Sequence, residues 1–179
     1  YLDGSLSISR ASRAYHQYLI FKPSMFLTAA LLYFYWKNCN NLINKFNNTN
    51  ISHKFRTFGI LSAIFLVIHS FLLGVEFDIK IFKLLRRVVL LAFIVFEIIA
   101  QAVLVYHFLK IKNKIKNMIN NKILIFKFIL VLILSTVAVL SLPILIDKGN
   151  THFKHALEWN YFIGVILFYL FSRFLWKKV

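Results

Sequence analysis

Hydrophobic positions along the chain form five long runs that are separated by short polar segments. A helix needs about 20 apolar residues to cross the hydrocarbon layer of a bilayer, and each run is close to that length. In a run such as ILSAIFLVIHSFLLGV the apolar side chains cover nearly every face, without the polar stripe of a soluble helix. The pattern predicts an all-α, multi-pass transmembrane helical bundle. The predicted spans are residues 18–36, 58–75, 88–109, 123–146 and 159–176 of a single transmembrane domain, 1–179.

The composition supports a membrane protein and excludes several other classes. Hydrophobic residues make up 60% of the chain and charged residues 16%, whereas soluble domains have about 45 to 50% and about 25%. The single cysteine, Cys39, excludes a disulfide framework within the chain. No glycine-rich nucleotide-binding motif is present. The sequence therefore gives no reason to expect a cofactor.

The 22 Lys and Arg residues outnumber the 6 Asp and Glu residues, and the net charge is +16. Most of the basic residues lie at span ends, where they would contact lipid phosphates, and they form no aromatic-interleaved face for nucleic acid. We therefore predict membrane lipids as partners and no nucleic acid. Lys22 and Lys127 lie just inside span ends and are expected to snorkel outward. Trp36, Trp159 and Trp176 mark span ends and predict an aromatic belt.

The distribution of charge between the connecting segments predicts the orientation. Lys and Arg are more frequent in the segments that follow the first and third spans and at the C-terminus, which favours a cytoplasmic location for them. The acidic residues outside the spans all fall on the opposite face; they are Asp3, Glu76, Asp78, Asp147 and Glu158. We therefore expect Tyr1 on the outer or luminal side and the C-terminus in the cytoplasm. Because the chain starts at Tyr1 without a start methionine, we also expect it to be truncated at its N-terminus.

Three short elements resemble the DRAM/Frag/Sfk family of membrane proteins. The segment SISRASRAY, with Ser7 and Ser9, resembles the family's first luminal loop. Phe58, Gly59 and Ser62 open the second span as in the family's third helix, and the segment HALEWNYFIGVILFYLF is similar to its closing helix. The family includes damage-regulated autophagy modulators and proteins that remodel the lipid of GPI anchors.

The resemblance implies a six-helix parent protein that acts on or among membrane lipids. The helix missing from this chain would precede the segment that contains Ser7 and Ser9. The family often has a histidine in the loop before its fourth helix. This chain has Asp78, Lys80 and Lys83 there instead, so no role of that histidine is transferred.

Glu97 lies near the middle of an apolar run, where a carboxylate costs at least about 2.5 to 3.5 kcal/mol. Gln101 is one helical turn further on, on the same face. Counted from the predicted outer span ends, His69 is about 9 Å deep and Glu97 about 14 Å deep. We therefore predict an intramembrane polar site of His69, Glu97 and Gln101, in which His69 contacts Glu97 and Ser70 or Gln101 completes the contact. We favour a structural clasp between helices; the alternative is a proton-handling or lipid-headgroup site.

A second group of polar residues precedes the last span. His152, His155 and Glu158 are spaced three residues apart and, with Asp147, are of the types that bind zinc. The helical zinc motifs His-Glu-x-x-His and His-x-x-Glu-His are absent. We therefore favour an interfacial segment in contact with headgroups and water over a metal site. The predicted outer vestibule consists of Ser7, Ser9, Glu76, Asp78, His152, His155 and Glu158.

Three functions remain open from the sequence. The first, implied by the family resemblance, is a non-enzymatic membrane protein that binds or organises lipids. The second is a lipid-remodelling or GPI-anchor-remodelling enzyme in which His69, Glu97, His155 and Glu158 supply acid, base or ligands. The third is an accessory subunit with a protein partner in the membrane.

Overall fold

A computed structural model describes residues 8, 15–47, 52–73, 80–146, 149 and 151–177. Most of these residues are helical, and five helices follow one another along the described part of the chain. They are α1 Tyr15–Asn47, α2 Lys54–Leu72, α3 Lys80–Lys110, α4 Asn121–Ile146 and α5 Thr151–Leu175. The predicted all-α class is confirmed. Each of the five predicted spans overlaps a different helix, and residues 74 and 75 of the second span lie outside the described residues.

Four of the helices, α1 to α4, contain a stretch that is long and apolar enough to cross a membrane. These apolar helices support the assignment to membrane-embedded proteins. Helix α5 does not reach the same hydropathy. Its apolar residues are interrupted by Asn160 and Arg173, and its first turns contain His152, Lys154 and His155. A fifth span therefore remains a prediction.

Helices α1 and α3 extend well beyond the predicted spans. Helix α1 continues from Trp36 to Asn47, and α3 begins at Lys80, before the apolar run that starts at Val88. A helix satisfies its backbone hydrogen bonds internally, in lipid and in water alike. Hydropathy therefore detects the lipid-compatible part of a helix and not its ends.

The chain divides into two compact units, one of residues 9–100 and one that contains residues 101–179. In the N-terminal unit (9–100), α1 packs along α2. Gly59 makes this possible, because a Cβ atom there would overlap the Trp36 ring. Trp36 is fully buried, 6.2 Å from the Phe55 ring between centroids. The prediction that Trp36 belongs to an aromatic belt is therefore wrong, since its ring packs between helices.

In the C-terminal unit (101–179), α4 packs along α5. Gly164 lies against Leu134, whose Cδ2 atom would be 2.6 Å from an added Cβ atom. The end of α5 is held beside the segment that precedes α4, because Asn120 N donates to Leu175 O at 2.8 Å. Lys177 N likewise donates to Met118 O at 2.9 Å. The last turn of α5 therefore lies beside the first turn of α4.

Candidate intramembrane polar site

The predicted polar residue Glu97 is completely buried and forms a hydrogen bond between two helices of the N-terminal unit. Ser62 Oγ on α2 lies 2.6 Å from Glu97 Oε2 on α3. The same Ser62 oxygen is 2.8 Å from Gly59 O, one turn earlier on α2. Both Ser62 and Glu97 have 0% of their surface exposed. This hydrogen bond offsets part of the cost of placing a carboxyl group inside an apolar run.

Three aromatic rings flank the hydrogen bond between Ser62 and Glu97. The Phe96 ring stacks on Phe58, with centroids 6.1 Å apart, and on Phe65, with centroids 5.4 Å apart. Phe58, Ser62 and Phe65 follow one another at helical spacing and so share one face of α2. The stacked rings therefore join α2 to α3 one turn on either side of Ser62. A low local dielectric strengthens such a hydrogen bond.

His69 lies elsewhere along the same face of α2. It is buried, and its Nδ1 atom has no hydrogen-bond partner among the described residues. His69 is two turns, or about 10 Å, from Ser62 along the helix. It lies close enough to Arg86 on α3 for the positive charge of that residue to act on the imidazole. Oε2 of Glu97 is therefore bonded to Ser62 and not, as predicted, to His69. Measuring depth from the ends of the apolar runs did not give the axial register of α2 against α3.

The two other polar residues of the predicted site have different surroundings. Gln101 is completely buried, one turn beyond Glu97 on α3. Ser70 is also buried, but its Oγ donates to Leu66 O in its own helix at 2.9 Å. Ser70 therefore satisfies its hydroxyl group locally.

The predicted outer vestibule is only partly described. Ser7, Ser9, Glu76 and Asp78 lie outside the described residues, as does Asp147. His152, His155 and Glu158 lie in the first turns of α5, with His152 exposed and the other two half-buried. Among the residues that the structure describes, no three His, Cys, Asp or Glu side chains come close enough to hold a metal ion. The three weak zinc candidates are therefore not gathered into a metal site.

Lys127 is a buried polar residue that the sequence analysis misinterpreted. It has 0% exposure, so it does not snorkel to the head groups as predicted. Its Nζ atom donates to Ser172 Oγ at 2.6 Å and lies 3.7 Å from the centroid of the Phe168 ring. A lysine ammonium near an aromatic face gains a cation–π interaction, which is stronger where water is excluded. The signal in the sequence for this contact was the spacing of Phe168 and Ser172, which places the two residues one turn apart on one face of α5.

A third polar cluster, which the sequence analysis did not identify, joins the end of α1 to the start of α2. Asn40 Oδ1 accepts a hydrogen bond from His53 N at 2.9 Å, and Asn44 Oδ1 is 2.9 Å from His53 Nε2. The His53 ring stacks on Phe55 with centroids 5.6 Å apart. Partial burial lowers the pKa of His53 from its usual value of 6.5. The cluster therefore ties the end of α1 to the start of α2.

No protein-family model, curated protein or solved structure matches the chain.

Proposed function

We propose that this protein is a non-enzymatic integral membrane protein that binds or organises lipids, similar in function to the DRAM/Frag/Sfk family. The observation that carries the proposal is the large apolar surface that the helices leave exposed. Bulky apolar side chains on this surface include Leu27, Leu31, Phe71, Leu132, Val139 and Leu140. Exposed apolar surface of this extent on a helical protein is typical of contact with acyl chains.

The proposal includes five spans, with the start of α1 outside or in the lumen and the C-terminus in the cytoplasm. Helix α5 has 25 residues, which correspond to about 37 Å. Its last turn is bonded to the segment before α4, so α5 runs back along α4. A helix of this length that packs along a membrane-crossing helix is expected to cross the same layer.

The polar contacts inside the bundle support a structural role. Glu97 is bonded to Ser62 and flanked by aromatic rings, and Lys127 is bonded to Ser172. Each contact joins two different helices. Hydrogen bonds of this kind stabilise helix pairs in membranes by about 0.6 to 2 kcal/mol. We therefore interpret Ser62 and Glu97 as the clasp that the sequence analysis favoured, with Ser62 in place of His69.

A lipid-remodelling or GPI-anchor-remodelling enzyme is the second candidate, and His69 favours it. A buried imidazole whose Nδ1 atom has no partner among the described residues is able to accept or donate a proton. In such an enzyme His69 would act as an acid or a base.

The two functions are separated by assaying purified protein for bound phospholipid and for turnover. We expect phospholipid to copurify in mild detergent, and we expect no hydrolysis or acyl exchange with phospholipid or GPI-anchored substrates. Turnover that is lost in His69→Ala or Glu97→Gln, with an unchanged yield of folded protein, would establish the enzyme instead. A stable, stoichiometric protein partner without bound lipid would establish an accessory subunit.

A further inference from the structure

An apolar groove runs between α1 and α2 on the lipid-exposed side of the N-terminal unit. Its volume is about 350 Å³. The groove is open, and short side chains line it, Ala29 and Ala30 on α1 and Ala63 on α2. Phe26 and Ile68 lie at one end. From Phe26 to Tyr33 it extends for about 10 Å along α1.

A cationic residue, Lys22, lies one helical turn beyond the Phe26 end of the groove. Lys22 is one turn before Phe26, and Lys22, Phe26, Ala29 and Tyr33 share one face of α1 at helical spacing. The Lys22 Nζ atom donates to the Tyr18 hydroxyl at 2.9 Å. An ammonium has three N–H donors, and the described residues use one of them. The Tyr18 contact orients the amine near the outer end of α1 without neutralising its charge.

We propose that the groove holds one acyl chain of a phospholipid and that Lys22, together with Tyr18, binds its phosphate group. This proposal rests on the proposed lipid-binding function and assigns to it a lipid class and a place. A phospholipid has a negative phosphate at the surface and a narrow chain below it. Lys22 and the groove follow one another along α1 in the same order, with the charged group before the apolar groove. A sterol fits the charge less well, because its hydroxyl group offers no negative partner to Lys22.

The test uses the full chain in phosphatidylcholine vesicles that contain a trace of phosphatidylglycerol with a photoreactive diazirine in one acyl chain. We expect labelled peptides from residues 26–33 and 60–68. Ala30→Phe fills the groove from an exposed position and should abolish this labelling. Val139→Phe, a matched change at a lipid-exposed position of α4, should leave it unchanged. Lys22→Gln should reduce labelling, because a neutral amide makes no ion pair with the phosphate group, and Lys22→Arg should retain it.

Two results would overturn the phospholipid site. One is labelling that is spread evenly over the lipid-exposed positions and is insensitive to Ala30→Phe. The other is displacement of the probe by a sterol together with full labelling of Lys22→Gln, which would assign the groove to an uncharged lipid. Phospholipid that copurifies without groove labelling would remove the site and leave the proposed function standing. The absence of both copurifying phospholipid and groove labelling would contradict the proposed function as well.

Discussion

The contact of the Trp36 ring with Gly59 sets how closely α1 and α2 approach. An added Cβ atom at residue 59 would overlap the ring, which also packs against Phe55. We therefore expect Gly59→Ala to reduce the free energy of unfolding by about 1 to 3 kcal/mol, the usual cost of overpacking. Thermal or denaturant unfolding in detergent measures the change.

Gly164→Ala is the matched control for Gly59→Ala. The added methyl group would meet the end of the Leu134 side chain, which can rotate away. We expect a smaller loss of stability in this variant than in Gly59→Ala. Equal losses would show that the rigidity of the Trp36 ring is unimportant.

The hydrogen bond between Ser62 and Glu97 predicts a second effect on stability. Ser62→Ala removes a buried donor to the carboxyl group and should cost about 0.6 to 2 kcal/mol. Ser24→Ala is the control, because Ser24 is exposed and bonds only to Ile20 O in its own helix. The control should change the unfolding free energy by less than about 0.5 kcal/mol. Identical stabilities of the two variants would contradict the clasp.

Single residues differ in how far the sequence alone predicts them. Glu97 was identified because an acid inside an apolar run is costly and must be satisfied. Its partner Ser62 was not identified as such, since the register between α2 and α3 depends on packing of the Phe58, Phe65 and Phe96 rings. Lys127 was predicted to reach the membrane surface. Its position near a span end does not show that its side chain lies on the face of α4 that meets α5.

At the level of helices, the contacts of His53 between the end of α1 and the start of α2 predict that the stability of the protein depends on pH. His53 is bonded to Asn40 and Asn44, and burial lowers its pKa below 6.5 in the folded protein. Below about pH 6.5 the unfolded chain gains a proton at this residue more readily than the folded chain. The contribution of neutral His53 to the free energy of unfolding is therefore complete above about pH 6.5 and decreases as the pH falls.

Unfolding of wild type and His53→Gln as a function of pH measures this effect. We expect the wild type to lose more stability than the variant between about pH 7.5 and about pH 5.5, since the variant has no group that titrates at residue 53. Parallel pH profiles for the two proteins would refute the assignment. His152→Gln changes an exposed histidine of α5 and serves as the control.

Helices were predicted better than their boundaries. The apolar runs located all five, since a helix that faces lipid must be apolar around its circumference. The extension of α1 to Asn47 was missed because Asn40 and Asn44 are poor helix formers, and their contacts to His53 compensate for this. Such tertiary contacts leave no periodic signal in the sequence.

For the whole molecule, the sequence predicts the class of architecture but not the packing. A chain with four apolar helices is recognised from composition, because spans require length and hydropathy alone. The close approach of α1 to α2 depends on Gly59, and Gly164 lies at the contact of α5 with α4. The orientation of the chain and the crossing of the membrane by α5 depend on the membrane itself.

Single cysteines in a Cys39→Ser background test the orientation and the fifth span together. Lys114→Cys, His152→Cys and Lys177→Cys are exposed positions before α4, at the start of α5 and after α5. In sealed, right-side-out vesicles an impermeant maleimide should label His152→Cys at once. It should label Lys114→Cys and Lys177→Cys only after permeabilisation, because the hydrogen bond of Lys177 N to Met118 O keeps the C-terminus beside the basic segment before α4. Reversed labelling of all three would invert the orientation, whereas labelling of Lys177→Cys from the same side as His152→Cys would eliminate the fifth span.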